Sequence, residues 1–348
     1  MAEASFVNVA SRIELDALIN AEDNKLKEAK IFAVTFLGEE LTNIPPKLFS
    51  LFDNLEEFVC FENRVTDIQE EIFTLTKLTK LNMHDNRISV VPPGIGNLIN
   101  LSKLFLYNNG EEGNSIVSLP STIGNCKLSV VNISGNLLKT LPDEFFTETL
   151  TLLNVADNKI EEIPKGIKNA VSLTKLNIAQ NKLKEIPQEL SLLPKLKKLL
   201  ISFNEITELK DYLGKEESLP SLQHLHLLKN KISVVEGLPW NLTYLSLSGN
   251  NLKEIPICIG NCKNLLEFDV CYNSVEKFTE DDLFRLPKTL KTFYLSENLL
   301  ESIPLNILTH LENLSNFALE GNYDLLVPDQ NTIDKGSESI LNFLRSQP

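Results

Sequence analysis

The sequence predicts an α/β solenoid, a right-handed coil with a parallel sheet on its concave side and short helical or 3-10 segments on its convex side. Three observations predict it. Thirteen segments align on the pattern LxxLxLxxNxLxxLP, they recur with a usual spacing of 23 residues, and an asparagine fills the N position in all but the first. A fixed period of this length marks a stack of repeated supersecondary units. It overrides the two or three globular domains that 348 residues would otherwise suggest.

Within each copy the LxL portion is expected to form a short strand. Successive strand side chains face opposite sides, so in LTKLNIAQNKLKEIP, residues 173–187, Leu176 and Ile178 pack inward while Lys175, Asn177 and Ala179 face out. One such strand cannot bury its own apolar face, and stacking the copies makes the core continuous. The asparagine follows where the chain turns inward. Its amide offers donors and acceptors to the adjacent turn, where an unmade hydrogen bond costs about 1–3 kcal/mol. Asn63, Asn86, Asn109, Asn136 and Asn158 hold this position in the first half, and Asn181, Asn204, Asn230, Asn250, Asn273, Asn298 and Asn322 in the second. In the first copy, which begins at Ile31, Glu39 stands there. IP or LP then leads into segments such as PGIGNL and QELSLL, expected to form a turn and a short helical piece. Proline fixes φ at the start of a helix and needs no donor there.

Open solenoid ends expose core, so helical caps are expected over residues 1–30 and 331–348, flanking thirteen repeats over 31–330. Ile13, Leu15, Leu18, Ile19 and Leu26 supply the apolar positions of the first cap, and Ile333, Ile340, Leu341, Phe343 and Leu344 those of the second. The fourth copy breaks the period. Six residues, Gly110 to Ser115, stand between Asn109 and Ile116 where other copies have one. This polar insertion reads as a surface loop or as a rim loop that touches a partner.

Composition excludes several function classes. No stretch approaches the roughly 18 uninterrupted apolar residues of a membrane span. The first thirty residues lack the basic start and apolar run of a secretion signal, and they include Glu3, Glu14 and Asp16. Five cysteines, Cys60, Cys126, Cys258, Cys262 and Cys271, are odd in number and read as reduced packing residues, so a cytoplasmic location is expected. A net charge of −14 repels phosphate backbones and argues against nucleic acid as a partner.

Catalysis needs convergent titratable groups, and few are present. His224 and His226 in LQHLHLL lie on one strand face, but their neighbouring strands supply no third metal ligand. Cys258 and Cys262 resemble half a metal site with no second pair. No phosphate-binding loop, nucleophile elbow or HExxH string occurs. The chain is therefore not expected to be an enzyme or to hold a cofactor or metal.

Candidate binding residues come from the outward strand positions, most of which are polar. Phe105 with Tyr107 makes one apolar exception. Leu200, Phe203, His226, Leu228 and Tyr244 make a second, with Tyr272 and Tyr294 further along. Exposed aromatics in polar surroundings have the usual composition of interface hot spots. Charge is uneven as well: Glu56, Glu57 and Glu62 gather early, whereas Lys175, Lys182, Lys197, Lys198, Lys229 and Lys231 gather centrally. A partner with an acidic surface around an apolar knob would be oriented by that contrast.

The units VPPGIGNLINLSKLFLYNN and IPICIGNCKNLLEFDVCYN resemble those of the intracellular Ras-group leucine-rich-repeat proteins, which include plant members, scribble, erbin and the scaffold that links Ras to Raf. The closing stretch GNYDLLVPDQNTIDKGSESILNFLR is similar to the terminal cap of that group, with Tyr323 in place of a proline and Phe343 in place of a tyrosine. The resemblance covers about residues 31–345. It implies a signalling scaffold or adaptor whose concave face binds a protein such as a Ras-like GTPase or a phosphatase catalytic subunit. A ligand-sensing regulatory module acting through a separate effector chain is the alternative, and it requires a deep apolar pocket that an open sheet rarely offers.

Overall fold

The structure is a computed structural model that describes residues 6–20, 27, 29–34, 41–110 and 112–347. The chain divides into two compact units, Met1–Leu173 and Thr174–Pro348.

In the first unit, strand β1 (Phe6–Val9) and helix α1 (Arg12–Asn20) precede β2 (Ile31–Val34), β3 (Glu57–Val59), β4 (Lys80–Asn82), β5 (Lys103–Phe105), β6 (Val130–Asn132) and β7 (Leu152–Asn154). Neighbours in sequence pair in parallel throughout this unit. The middle residues of β3 to β7, Phe58, Leu81, Leu104, Val131 and Leu153, are buried, and the two flanking positions face the open side. The chain returns through short 3-10 turns such as Pro93–Asn97, Ser121–Asn125 and Lys165–Asn169. Pro92, Pro120 and Pro164 cap their starts in extended conformation. Phe32 and Phe58 stack with ring centroids 5.9 Å apart, and Phe49 and Phe52 close over them at 5.5 and 5.0 Å.

Three expectations need correction here. Residues 1–30 are not wholly a helical cap: Phe6–Val9 is a strand that pairs with β2. Its FVNV sequence suits a strand, and pairing supplies partners to the N–H and C=O groups along the edge of β2. The first copy also begins two residues earlier than Ile31, because Phe32 lies opposite Phe58 and buried Ala29 takes the leading apolar position. Glu39 and Leu26, singled out above, lie outside the described residues.

The third correction concerns the asparagine ladder. Asn86 shows its normal form: Oδ1 accepts from Val65 N at 3.1 Å, and Nδ2 donates to Cys60 O at 2.7 Å, Met83 O at 3.1 Å and His84 O at 3.2 Å. In the fourth copy this place belongs to Asn114 and not to Asn109. Asn114 Oδ1 accepts from Ile88 N at 2.9 Å, and its Nδ2 donates to Met83 O at 3.0 Å and Leu106 O at 3.1 Å. Asn109 is exposed and binds Asp85 instead. The insertion therefore precedes the ladder residue, as residues 109–113, and the ordinary spacing from asparagine to apolar residue survives as Asn114 to Ile116.

The second unit contains β8 (Lys175–Asn177), β9 (Lys198–Leu200), β11 (His224–His226), β13 (Tyr244–Ser246), β14 (Glu267–Asp269), β15 (Thr292–Tyr294) and β16 (Asn316–Ala318) in one parallel sheet. A separate parallel pair joins β10 (Glu208–Leu209) to β12 (Val234–Val235). Here the convex segments lengthen into short α-helices, α2 (Glu280–Arg285) and α3 (Ile307–His310). The first of these starts on a capping box in which Thr279 and Asp282 exchange hydrogen bonds. Phe268, Phe293 and Phe317 stack through the interior at 5.5 and 5.8 Å. After α4 (Gln330–Ile333), helix α5 (Ser337–Arg345) buries Ile340, Leu341 and Leu344. The Ser337 hydroxyl accepts from Phe317 N at 2.7 Å, satisfying a donor on β16.

Outside the fourth copy, where Gly113 precedes Asn114, the residue before the ladder asparagine takes a left-handed conformation in both units. Glu62, Asp85, Gly135 and Asp157 do so in the first, and Gln180, Phe203, Lys229, Gly249, Tyr272, Glu297 and Gly321 in the second. This corner turns the chain from the open sheet face toward the interior. It fixes where every neighbouring side chain of the candidate site points.

Candidate functional site

Three outward columns run across each sheet, made by the two flanking residues of every strand and by the residue that follows the second buried position. Asparagine recurs in the middle column for a structural reason: Asn132, Asn154 and Asn177 accept from the backbone N–H two residues on, at 3.2, 3.2 and 3.3 Å. Apolar residues in the columns have no such duty.

In the second unit, Leu200 and His226 lie side by side on β9 and β11. Tyr244 starts β13 opposite His224, two residues earlier, yet its ring reaches over His226, with centroids 4.5 Å apart and planes at 29°. Leu228 follows the second buried position of β11, and its carbonyl accepts from Phe203 N at 2.7 Å. Phe203 and Tyr272 are not on the strands. They occupy the left-handed corner, at φ 57° and 53°, and are 43% and 64% exposed. Lys229, in the same corner column, sits with Nζ 5.2 Å from the Phe203 ring centroid. Tyr294 is half-buried, and its hydroxyl accepts from Asn316 Nδ2 at 2.8 Å. The structure thus joins Leu200, Phe203, His226, Leu228 and Tyr244 at one place and sets Tyr272 and Tyr294 on later repeats. Of the central lysines, Lys231 is paired with Glu205 at 2.9 Å.

Electrostatics make this patch neutral at its centre. Burial pushes the His226 imidazole down to about 4, with Lys198 and His224 adding to the effect, and burial raises the Tyr244 phenol with help from Glu267 and Asp269. His226 Nε2 is buried without a hydrogen-bond partner among the described residues. A histidine whose folded value lies below its unfolded value binds fewer protons folded, so stability falls as pH drops from about 6.5 to about 4. His226→Gln is expected to flatten that decline in a urea midpoint measured at pH 7, 5.5 and 4.5. Equal slopes in both proteins would remove His226 as its source.

In the first unit Tyr107 has aromatic neighbours that the strand pattern alone does not single out. Phe61, His84 and Tyr107 are 23 residues apart and occupy one column, where they stack: Phe61 to His84 at 4.6 Å and 12°, His84 to Tyr107 at 4.2 Å and 13°. Reading the next outward position at the same period would have shown them. Phe105 is on β5 beside Asn82 and Asn132. Burial lowers the His84 imidazole, opposed by Asp85 and Glu62, and burial with the same two carboxylates raises the Tyr107 phenol. Glu62, Asp85 and the inserted loop line an open cleft of about 460 Å³. Glu112 of this loop pairs with Arg87 at 2.5 Å.

Comparison with known proteins agrees with this architecture. Three family profiles match: leucine rich repeat over residues 126–183 and 148–206, BspA type leucine rich repeat region over 3–92, and a further leucine rich repeat over 241–262. A leucine-rich-repeat protein of Leptospira interrogans is 28% identical, with a TM-score of 0.73 over 90% of this chain and 76% of its own. The ectodomain of the receptor kinase GASSHO1/SCHENGEN3 of Arabidopsis thaliana, solved in complex with CASPARIAN STRIP INTEGRITY FACTOR 2, is 29% identical. Its TM-score is 0.68, over 85% of this chain and 36% of that one. The human volume-regulated anion channel subunit LRRC8A is 33% identical over 118 residues, 31% of this chain and 14% of the channel subunit. A probable serine/threonine-protein kinase of Dictyostelium discoideum is 29% identical over 141 residues, 40% of this chain and only 4% of the kinase. The chain thus spans a small part of these last two relatives. No helix among the described residues is long and apolar enough to cross a membrane. Its repeats, parallel strands and asparagine ladders make the chain a leucine-rich-repeat solenoid in fold, an architecture commonly used to bind proteins.

Proposed function

We propose that the chain is a protein-binding scaffold or adaptor in cytoplasmic signalling, and that the open sheet face of its second unit receives the partner. The observation that carries this reading is the pair of aromatic residues in the left-handed corner. A side chain larger than glycine at that position costs roughly 1–2 kcal/mol, and a solvated ring adds a cost in solubility. The fold does not need a ring there, because Gly249 and Gly321 occupy the equivalent corner of other repeats. Strained, exposed aromatics beside a neutral apolar patch fit the anchors of an interface.

The partner's chemistry follows from the surroundings. Lys198 and Lys229 flank the patch, so an apolar knob ringed by acidic groups suits it, with the charges setting orientation and on-rate. The Ras-group resemblance suggests a Ras-like GTPase or a phosphatase catalytic subunit. The complex of the Arabidopsis receptor ectodomain with CASPARIAN STRIP INTEGRITY FACTOR 2 supports partner binding by this fold. A photoreactive p-benzoylphenylalanine tests the face directly. Placed at Tyr272 it is expected to crosslink a cytosolic protein, and placed at Ile257, exposed on a 3-10 turn of the same unit, it is not. Equal crosslinking from both positions would contradict a defined docking face.

A further inference from the structure

We infer that Glu62, His84 and Asp85 form a binding site for a divalent transition-metal ion of the zinc class, in the cleft beneath the inserted loop. One ligand atom from each residue lies within 4.8 Å of the other two. Ligands about 2.1 Å from a tetrahedral ion stand roughly 3.4 Å apart, and His84 Nε2 is already 3.8 Å from Asp85 Oδ2. Small side-chain rotations therefore close the set.

The imidazole is prepared for this role. His84 is only 8% exposed, and its ring is clamped between Phe61 and Tyr107. Its Nδ1 lies 2.6 Å from Asn82 Oδ1, an oxygen that also accepts from His84 N at 3.4 Å. An acceptor at Nδ1 places the proton there and leaves the Nε2 lone pair facing the carboxylates, the arrangement that outer-shell acceptors impose on metal-ligating histidines. The carboxylates are brought together by the fold. Glu62 and Asp85 hold the same left-handed corner on adjacent repeats, at φ 52° and 51°. Asn109 steadies Asp85 through its backbone N at 2.6 Å and its amide at 2.9 Å, which gives the insertion a purpose.

One imidazole nitrogen with two carboxylates suits zinc-like ions better than magnesium or calcium, which favour oxygen-only shells. Three protein ligands leave further coordination positions open toward the cleft. None of this depends on the docking face of the second unit.

The test is competition for Zn2+ between a fluorescent zinc chelator and the full chain, with H84Q and E62Q alongside. Wild type is expected to bind one equivalent at this site. Each variant should bind at least tenfold more weakly, while the five cysteines remain in all three proteins. Magnesium at the same concentration should not compete. Absence of saturable zinc binding, or unchanged binding in the variants, would overturn the assignment. Because H84Q alters a buried residue, the exposed E62Q is the decisive variant if H84Q fails to fold. In wild type the His84 imidazole NMR signals must also shift with one equivalent of Zn2+, and unmoved signals would overturn the site as well.

Discussion

Replacing Asn86 with alanine is expected to destabilise the first unit by about 3 kcal/mol, at the upper end of ordinary single substitutions. The residue is fully buried, and its amide uses both donor and acceptor sides, taking one backbone N–H and reaching three carbonyls. Alanine leaves the Val65 N–H and the Cys60 carbonyl without these partners in the interior, where water cannot replace them. Asn86→Asp sharpens the argument. It keeps shape but turns an anionic oxygen toward three carbonyl oxygens, so it should be at least as damaging as alanine. Asn63→Ala should be milder, because Asn63 Oδ1 finds no partner among the described residues. Urea midpoints for the three variants provide the measurement. A loss below about 1 kcal/mol for Asn86→Ala would show that the ladder is packing and not hydrogen bonding.

The double variant Phe203→Gly, Tyr272→Gly should behave in the opposite way, keeping its stability and losing its partner. Glycine relieves the left-handed strain, roughly 1–2 kcal/mol per site, and returns about 0.5–1 kcal/mol as unfolded-chain entropy. The lost contact between Lys229 and the Phe203 ring takes back about 0.5–1 kcal/mol. The net change in stability is therefore small. Hot-spot residues contribute about 2 kcal/mol or more each, so affinity should fall roughly 30-fold or more per site. Stability retained with binding lost is the pattern of residues kept for function at some cost to the fold.

Much of this architecture can be read from periodicity, because inward leucines and ladder asparagines obey one spacing for one physical reason. The exceptions are informative. Counting from the strand side reaches Asn109 before Asn114, so the pattern points to the wrong asparagine in the fourth copy. Counting backward from Ile116 recovers the ladder residue, since the turn after the asparagine tolerates no insertion while the loop before it does. Strand β1 was hidden because four residues of FVNV carry little signal of their own, and the edge of β2 that requires them belongs to a different segment. The Phe61, His84 and Tyr107 stack was visible at the 23-residue period but occupies a column that the strand pattern does not highlight. The left-handed corner could not be read at all, since residues as different as Gln180, Phe203, Lys229 and Tyr272 hold it. There the hydrogen bonds of the asparagine beside them override local preference.

Partner retention from cytosol by wild type and by the Phe203→Gly, Tyr272→Gly variant tests the central claim most directly, with mass spectrometry as the readout and circular dichroism confirming that both proteins fold. The docking account predicts a protein held by wild type and lost from an equally folded variant. The same proteins retained by both would contradict it.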